Sequence, residues 1–281
     1  MSWATDSFNQ MIDYNQSFIN NIAALCSSSI ADVQHNGSPV IGEANWQHII
    51  DVCEVSVVAI ASIVVCCMVA AELYSTYCKT NGQMDLEIVM AMFFRIVIPV
   101  LLVANGYAIM DWFTSDFLKN IYSSVSTGLG ATINWGGLKT AFAATTTGNG
   151  SFLDQIWYGL QIQVPIFINW IMSIVVTCIL YVRLIEMGIM YLVSPIPIAT
   201  LVHHEQKQIG INFFKMYFAL LLQGLIILIC YVIYSYMIQS FVDSTSAATA
   251  FDIWGFTAYQ LVFVWAVATS GHLSKRLLGT F

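Results

Sequence analysis

The chain alternates between long apolar runs and short polar knots. Residues 55–71 read "VSVVAIASIVVCCMVAA", uncharged between Glu54 and Glu72. Residues 88–110 are apolar except for Arg95, and residues 164–182 end at Arg183. Residues 216–242 carry no charge between Lys215 and Asp243, and residues 253–271 carry none between Asp252 and His272. A bilayer core of roughly 30 Å takes about 20 apolar residues in a helix. The pattern therefore predicts an all-α, polytopic helical membrane protein with about five transmembrane helices. Residues 187–202 are a further apolar run, interrupted by Ser194-Pro195-Ile196-Pro197. Prolines so close together remove backbone donors and kink or end a helix. This run reads either as a cytoplasmic continuation of the third span or as a half-inserted segment.

The segments between the spans have their own patterns. Trp3, Phe8, Met11, Ile12, Phe18, Ile19, Ile22 and Leu25 recur mostly at spacings of three, four and seven, which predicts an amphipathic helix over residues 3–30. That helix holds no Lys or Arg, unlike helices that seek a membrane surface. A place on the membrane surface, capping of the bundle and contact with another subunit all stay open for it, with the missing cations favouring protein contact. Residues 33–47 read as a loop. Residues 111–154 are rich in Thr, Ser, Asn and Gly, with "GLGATINWGGLKTAFAATTTGNGS" at their centre. Loops this long are functional or disordered, and a helical hairpin or a lid is expected here. The expected organisation is an extracytoplasmic helix and loop (1–53), spans one and two (54–110), and an extracytoplasmic Gly/Thr-rich loop (111–155). Spans three to five follow (156–272), with a cytoplasmic turn at 203–208, and then a basic tail (273–281).

Composition supports lipid as the solvent. The chain is 58% hydrophobic and only 9% charged, with a mean hydropathy of +0.74, whereas a soluble domain is about a quarter charged. Charge placement gives the orientation. Residues 1–54 contain six carboxylates and no Lys or Arg, while the C-terminus holds Lys275 and Arg276. The positive-inside rule then places the N-terminus outside and the C-terminus in the cytoplasm. With five spans, Lys79, Arg183, Lys207, Lys215, Lys275 and Arg276 fall on the inner side and Lys119 and Lys139 on the outer. The first residues show no basic segment followed by a short apolar one, so the first span is expected to act as the insertion signal. The turn "HHEQKQ" is polar because it meets water or a cytoplasmic partner.

Few residues suggest chemistry. Adjacent His203 and His204 point in different directions on a helix, whereas a zinc-binding HExxH motif needs histidines four apart. The seven cysteines form no metal pattern, and a Cys26–Cys53 pair has no support beyond both lying outside. Asn15-Gln16-Ser17 matches a glycosylation sequon too short and common to carry weight. No catalytic residue, metal site or cofactor is expected. Arg95, mid-span, is costly to bury unless paired or hydrated. An ion pair with Glu186 or Glu72, and a place in a pore or subunit interface, both fit. Arg183 and Glu186 sit three apart on one helical turn and are expected to brace the inner boundary. Gln223 and Gly224 are residue types that mediate helix packing in membranes. A net charge of −7 does not suit a nucleic-acid binder, which shows a basic stripe. The spans lack the acidic and basic linings, and the inverted broken repeats, of ion-coupled transporters.

The stretch "VRLIEMGIMYLVSPIPIATLVHHEQKQIGINFFKMYFALLLQGLIIL" resembles the TrbL-like polytopic inner-membrane component of type IV secretion and conjugation systems. The resemblance rests on Arg183, Glu186, Pro195, Pro197, Gly210, Phe213, Phe214, Lys215, Gln223 and Gly224 and covers about residues 160–240. It implies a non-enzymatic, multi-pass subunit of the bacterial cytoplasmic membrane. It further implies a homo-oligomer, a ring of about five copies, serving as a channel base or platform for pilus or stalk assembly. Other secretion-system subunits, cytoplasmic ATPases, membrane lipid and transient DNA or protein substrate are the implied partners. A membrane subunit of another transporter or exporter is the alternative. Topology is directly testable: a reporter active only outside the cytoplasm should be active when fused at residue 2 and silent at residue 281. The reverse result overturns the orientation.

Overall fold

The computed structural model describes residues 2–27, 34–35, 38–39, 41–79, 86–117, 120–122, 124, 136–137, 139–140, 152–246 and 253–279. Almost all of them are helical. The main elements are α1 (Ser2–Ser27), α2 (Glu43–Lys79), α3 (Leu86–Ala104), α4 (Gly106–Asp111), α5 (Phe152–Val193), α6 (Pro195–Ala199), α7 (Lys207–Ser246) and α8 (Ile253–Leu277). A π-helical turn, Trp112–Phe117, follows α4, and a 3-10 turn, Thr200–Val202, follows α6. Between α1 and α2, Gln34–His35 and Ser38–Pro39 pair as an antiparallel two-residue ladder. Most of the expected external loop, 111–154, lies outside the described residues.

Among the described residues, three helices are long and apolar enough to cross a bilayer: Glu43–Cys78, Gln163–Val193 and Lys207–Phe241. A fourth span results if Val89–Ala104 and Gly106–Thr114, bent by 70°, count as one. Five were expected. The expected fifth, 253–271, does form a helix, but Gln260, Thr269, Ser270 and His272 dilute its apolar character. The bend falls at Asn105-Gly106. There the Asn105 side chain donates back to the Leu101 carbonyl at 2.9 Å, an interaction that competes with continued helix.

Contacts divide the chain into two compact units. The first comprises Met1–Ser27, Tyr122–Val182 and Gln223–Leu273; the second comprises Ser28–Ile121, Arg183–Leu222 and Ser274–Phe281. In the first unit, α1 buries Phe8, Met11, Ile12, Asn15, Ile22, Leu25 and Cys26. The spacing is the predicted helical stripe, with one amide set into it. An ion pair of 2.6 Å joins Asp13 of α1 to Lys139. On α7 and α8, Tyr234 stacks on Phe263 with centroids 4.7 Å apart. Gln223 of α7 lies over Gly271 of α8, where a Cβ would stand 3.2 Å from the amide nitrogen. That close approach of an amide to a glycine is the helix packing expected of Gln223.

In the second unit, α2 enters through Gly42, whose φ of 79° is the left-handed conformation that glycine adopts freely. Only 6% of the most apolar window of α2 is buried. What it does bury lies on one line: Ile50, Ala61 and Glu72. Steps of eleven residues are close to three helical turns, so the three share a face. The rest of α2 presents Val55, Ile63 and similar residues outward, as a lipid-facing helix does.

Candidate functional site

The proline-broken segment belongs to the second unit, where α6 and the 3-10 turn pack against α2 and α3. Ile198 and Ala199 meet Ala61 and Val103 in one buried cluster, flanked by Val64, Leu102, Leu201 and Phe214. Ala61 is the small residue halfway along α2 that lets a second backbone approach. Gly106 opens α4 in the same way, with Ile198 3.6 Å from where its Cβ would be. The start of α7 closes over the other side. A Cβ at Gly210 would stand 2.9 Å from the Pro197 carbonyl oxygen and 2.5 Å from Leu201 Cδ2, so only glycine fits without movement.

The break leaves backbone groups that the protein itself must satisfy. Pro195 has no N–H to offer the Tyr191 carbonyl, and Ser194 N–H reaches it instead at 3.3 Å. The Leu192 carbonyl accepts the Tyr107 hydroxyl at 2.9 Å. The Pro197 carbonyl accepts the Thr200 hydroxyl at 2.7 Å. Tyr107 also packs against Tyr191, and Tyr191 against Trp46 of α2, with ring centroids 5.5 and 6.0 Å apart. Tyrosine thus supplies both the packing and the hydrogen bond at the point where α5 ends.

Two charged groups are buried in this unit. Glu72, 3% exposed, accepts the His204 backbone N–H at 3.3 Å. The ring of His203 lies beside it, Nε2 to Oε2 4.0 Å. Glu205 N–H donates to His203 Nδ1 at 3.2 Å, so the neutral ring keeps its proton on Nε2, toward the carboxylate. Arg183, 2% exposed, donates its Nε to the Leu220 carbonyl of α7 at 3.0 Å. The adjacent Tyr217 hydroxyl hydrogen-bonds Thr114 and lies within electrostatic range of both Asp111 and Arg183.

Several sequence expectations shift here. Arg183 joins the buried stripe of Leu184, Met187 and Gly188, while Glu186 is exposed. Three residues make 300° of helix rotation, and that carries Glu186 to the far edge of the face. Glu72, which the sequence offered as a partner for Arg95, accepts from the backbone of the "HHE" turn and so ties that turn to α2. Arg95 lies on α3, and its side chain falls outside the described residues. Pro195 is buried and Pro197 half-buried, both in the site, whereas Gln223 and Gly224 belong to the other unit. Cys26 and Cys53 are not in disulfides, and Asn15 of the sequon is buried. Sequence reasoning missed Tyr107, Tyr217 and Glu72 as partners of the break. Only the Asn-Gly dipeptide at 105–106, a turn signal, hinted that the chain changes direction beside it.

Apolar helices, a proline-broken segment sheathed by neighbouring helices, and buried charges held by backbone define a polytopic membrane scaffold. Residues 27–195, more than half of the chain, match the family described as TrbL/VirB6 plasmid conjugal transfer like protein, and the chain belongs to that family. It is thereby a membrane component of a conjugal transfer or type IV secretion apparatus, with other subunits around it. The match ends at Pro195, so Pro197, Gly210, Phe213, Phe214, Lys215, Gln223 and Gly224 of the resemblance lie beyond it. Neither the curated proteins nor the solved structures contain a match.

Gly210→Ala should destabilise the protein by about 1–3 kcal/mol, the usual range for overpacking, and lower its melting temperature in detergent. Gly106→Ala, with ordinary contact distances, should leave melting near wild type. Glu72→Ala should cost about 0.5–1.5 kcal/mol by removing the acceptor of the part-buried His204 N–H and loosen the 203–208 turn towards protease. Glu72→Gln, which keeps an acceptor oxygen, should lose less and protect the turn.

Proposed function

We propose that this chain is the multi-pass cytoplasmic-membrane subunit on which a conjugation or type IV secretion channel is built. Several copies form a ring that serves as the channel base and as a platform for the pilus or stalk. The observation that carries this reading is the family match over residues 27–195. The composition supports it, since the chain is membrane-embedded and offers no conduit of its own, so a passage for DNA or protein lies between subunits. Among the described residues α2 supplies the most open surface for such association. In this reading α1 and the segment 111–155 face the extracytoplasmic partners. The exposed residues Glu205, Gln206, Lys207 and Gln208 of the turn face the cytoplasmic ATPases. The segment 187–202 is half-inserted, with Ile198 and Ala199 packed against Ala61 at the middle of α2.

Deletion of the coding region in a donor strain should abolish plasmid transfer or substrate secretion, and expression of the wild-type chain should restore it. Native mass measurement after extraction in mild detergent should give a closed ring, about five copies. A monomer with undiminished transfer activity would remove the platform reading.

A further inference from the structure

The stripe by which α1 docks is apolar except at its centre. Asn15 sits between Met11 and Ile12 on one side and Ile22 on the other, only 3% exposed. Its Oδ1 accepts from Asn169 Nδ2 of α5 at 3.0 Å, but its own Nδ2 has no partner. The opposite case lies on α8. Gln260, 5% exposed, hydrogen-bonds the Tyr234 hydroxyl. Its Oε1 has no partner, so that bond runs from its amide nitrogen. Both orphaned atoms belong to side chains that line one cavity of about 20 Å³, together with Asn169, Ser173 and Tyr234. All of these residues lie in the first unit.

A buried donor and a buried acceptor, each left unmade, would cost on the order of 1–3 kcal/mol apiece. The cavity removes the conflict. A water needs roughly 10–15 Å³ and two to four polar partners, and the space provides both. The charge pattern selects the occupant. A cation would face the Asn15 N–H, and an anion would face the Gln260 carbonyl oxygen. A neutral molecule that donates and accepts satisfies both, and the Ser173 hydroxyl oxygen offers a further lone pair.

We infer that this cavity binds one water molecule, which bridges Asn15 of α1 to Gln260 of α8 and so fixes the register of α1 on its unit. The apolar stripe alone tolerates a slide of three or four residues, because other apolar side chains replace those that leave. A slide of the amide does not, because it strands Asn169 and Gln260 against hydrocarbon. A single polar residue in an apolar helix seam sets register in coiled coils for the same reason.

The test uses the full chain in detergent or nanodiscs. A structure at a resolution that shows ordered solvent should contain one peak within hydrogen-bonding distance of both Asn15 Nδ2 and Gln260 Oε1. Asn15→Ala and Gln260→Ala should each lower the melting temperature. The double variant should melt no lower than the worse single one, because either change already breaks the bridge. Melting should be the same in sodium, potassium and choline chloride. An unfilled cavity, additive losses in the double variant, or stabilisation by one particular cation would each overturn the proposal. Should either alanine variant fail to fold, Asn15→Ser and Gln260→Met carry the same cycle with smaller changes of volume.

Discussion

Hydrocarbon offers no hydrogen bonds, so any backbone group released from a helix within a membrane must be satisfied by the protein itself. The second unit is organised around that constraint. Two prolines end α5 and start α6, and the carbonyls they release or strain are met by Ser194 N–H, the Tyr107 hydroxyl and the Thr200 hydroxyl. Irregular backbone survives at that depth only when protein covers it. Ala61 and Gly210 are the small residues at which α2 and α7 meet this segment, and Gly210 has no room for a side chain. The bend at Asn105 follows from the same need, since Tyr107 lies two residues beyond it and its hydroxyl is the donor that caps the end of α5.

Buried charge obeys the same rule. Arg183 and Glu72 each sit in a low-dielectric setting where an unsatisfied ion is expensive. Each is tied to backbone: Arg183 to the Leu220 carbonyl, Glu72 to the His204 N–H. Backbone dipoles are fixed by the helix or turn that carries them, so these ties position elements as well as solvate charge. Arg183 links the end of α5 to α7, and Glu72 links the turn between α6 and α7 to α2.

The spans were legible because hydrocarbon thickness demands long apolar runs, and that demand acts locally along the chain. The docking stripe of α1 was legible for a similar reason: Phe8, Met11, Ile12, Ile22 and Leu25 were read from spacing and are buried. Long-range polar pairing was not. Glu72 and His204 are 132 positions apart, and no periodicity connects them. Asn15 reads only as part of a sequon, since its value depends on Asn169, which lies 154 positions on. The burial of Arg183 beside an exposed Glu186 was not legible, because spacing gives the angle between two residues, not which sector a neighbouring helix covers. The polar content of α8 was not legible either, because the run carries no charge, yet Gln260 and Ser270 are buried inside its unit.

The sparse attachment of α2 has a consequence for how such subunits come together. It is held chiefly at Ile50, Ala61 and Glu72, and only 6% of its most apolar window is buried within its own chain. A neighbour that replaced lipid along that surface would meet a helix already shaped and anchored. On the ring reading proposed above, folding would be completed by each subunit alone, and assembly would be a lateral exchange of one greasy surface for another. Copies could join or leave a growing complex in the plane of the bilayer without any of them having to unravel.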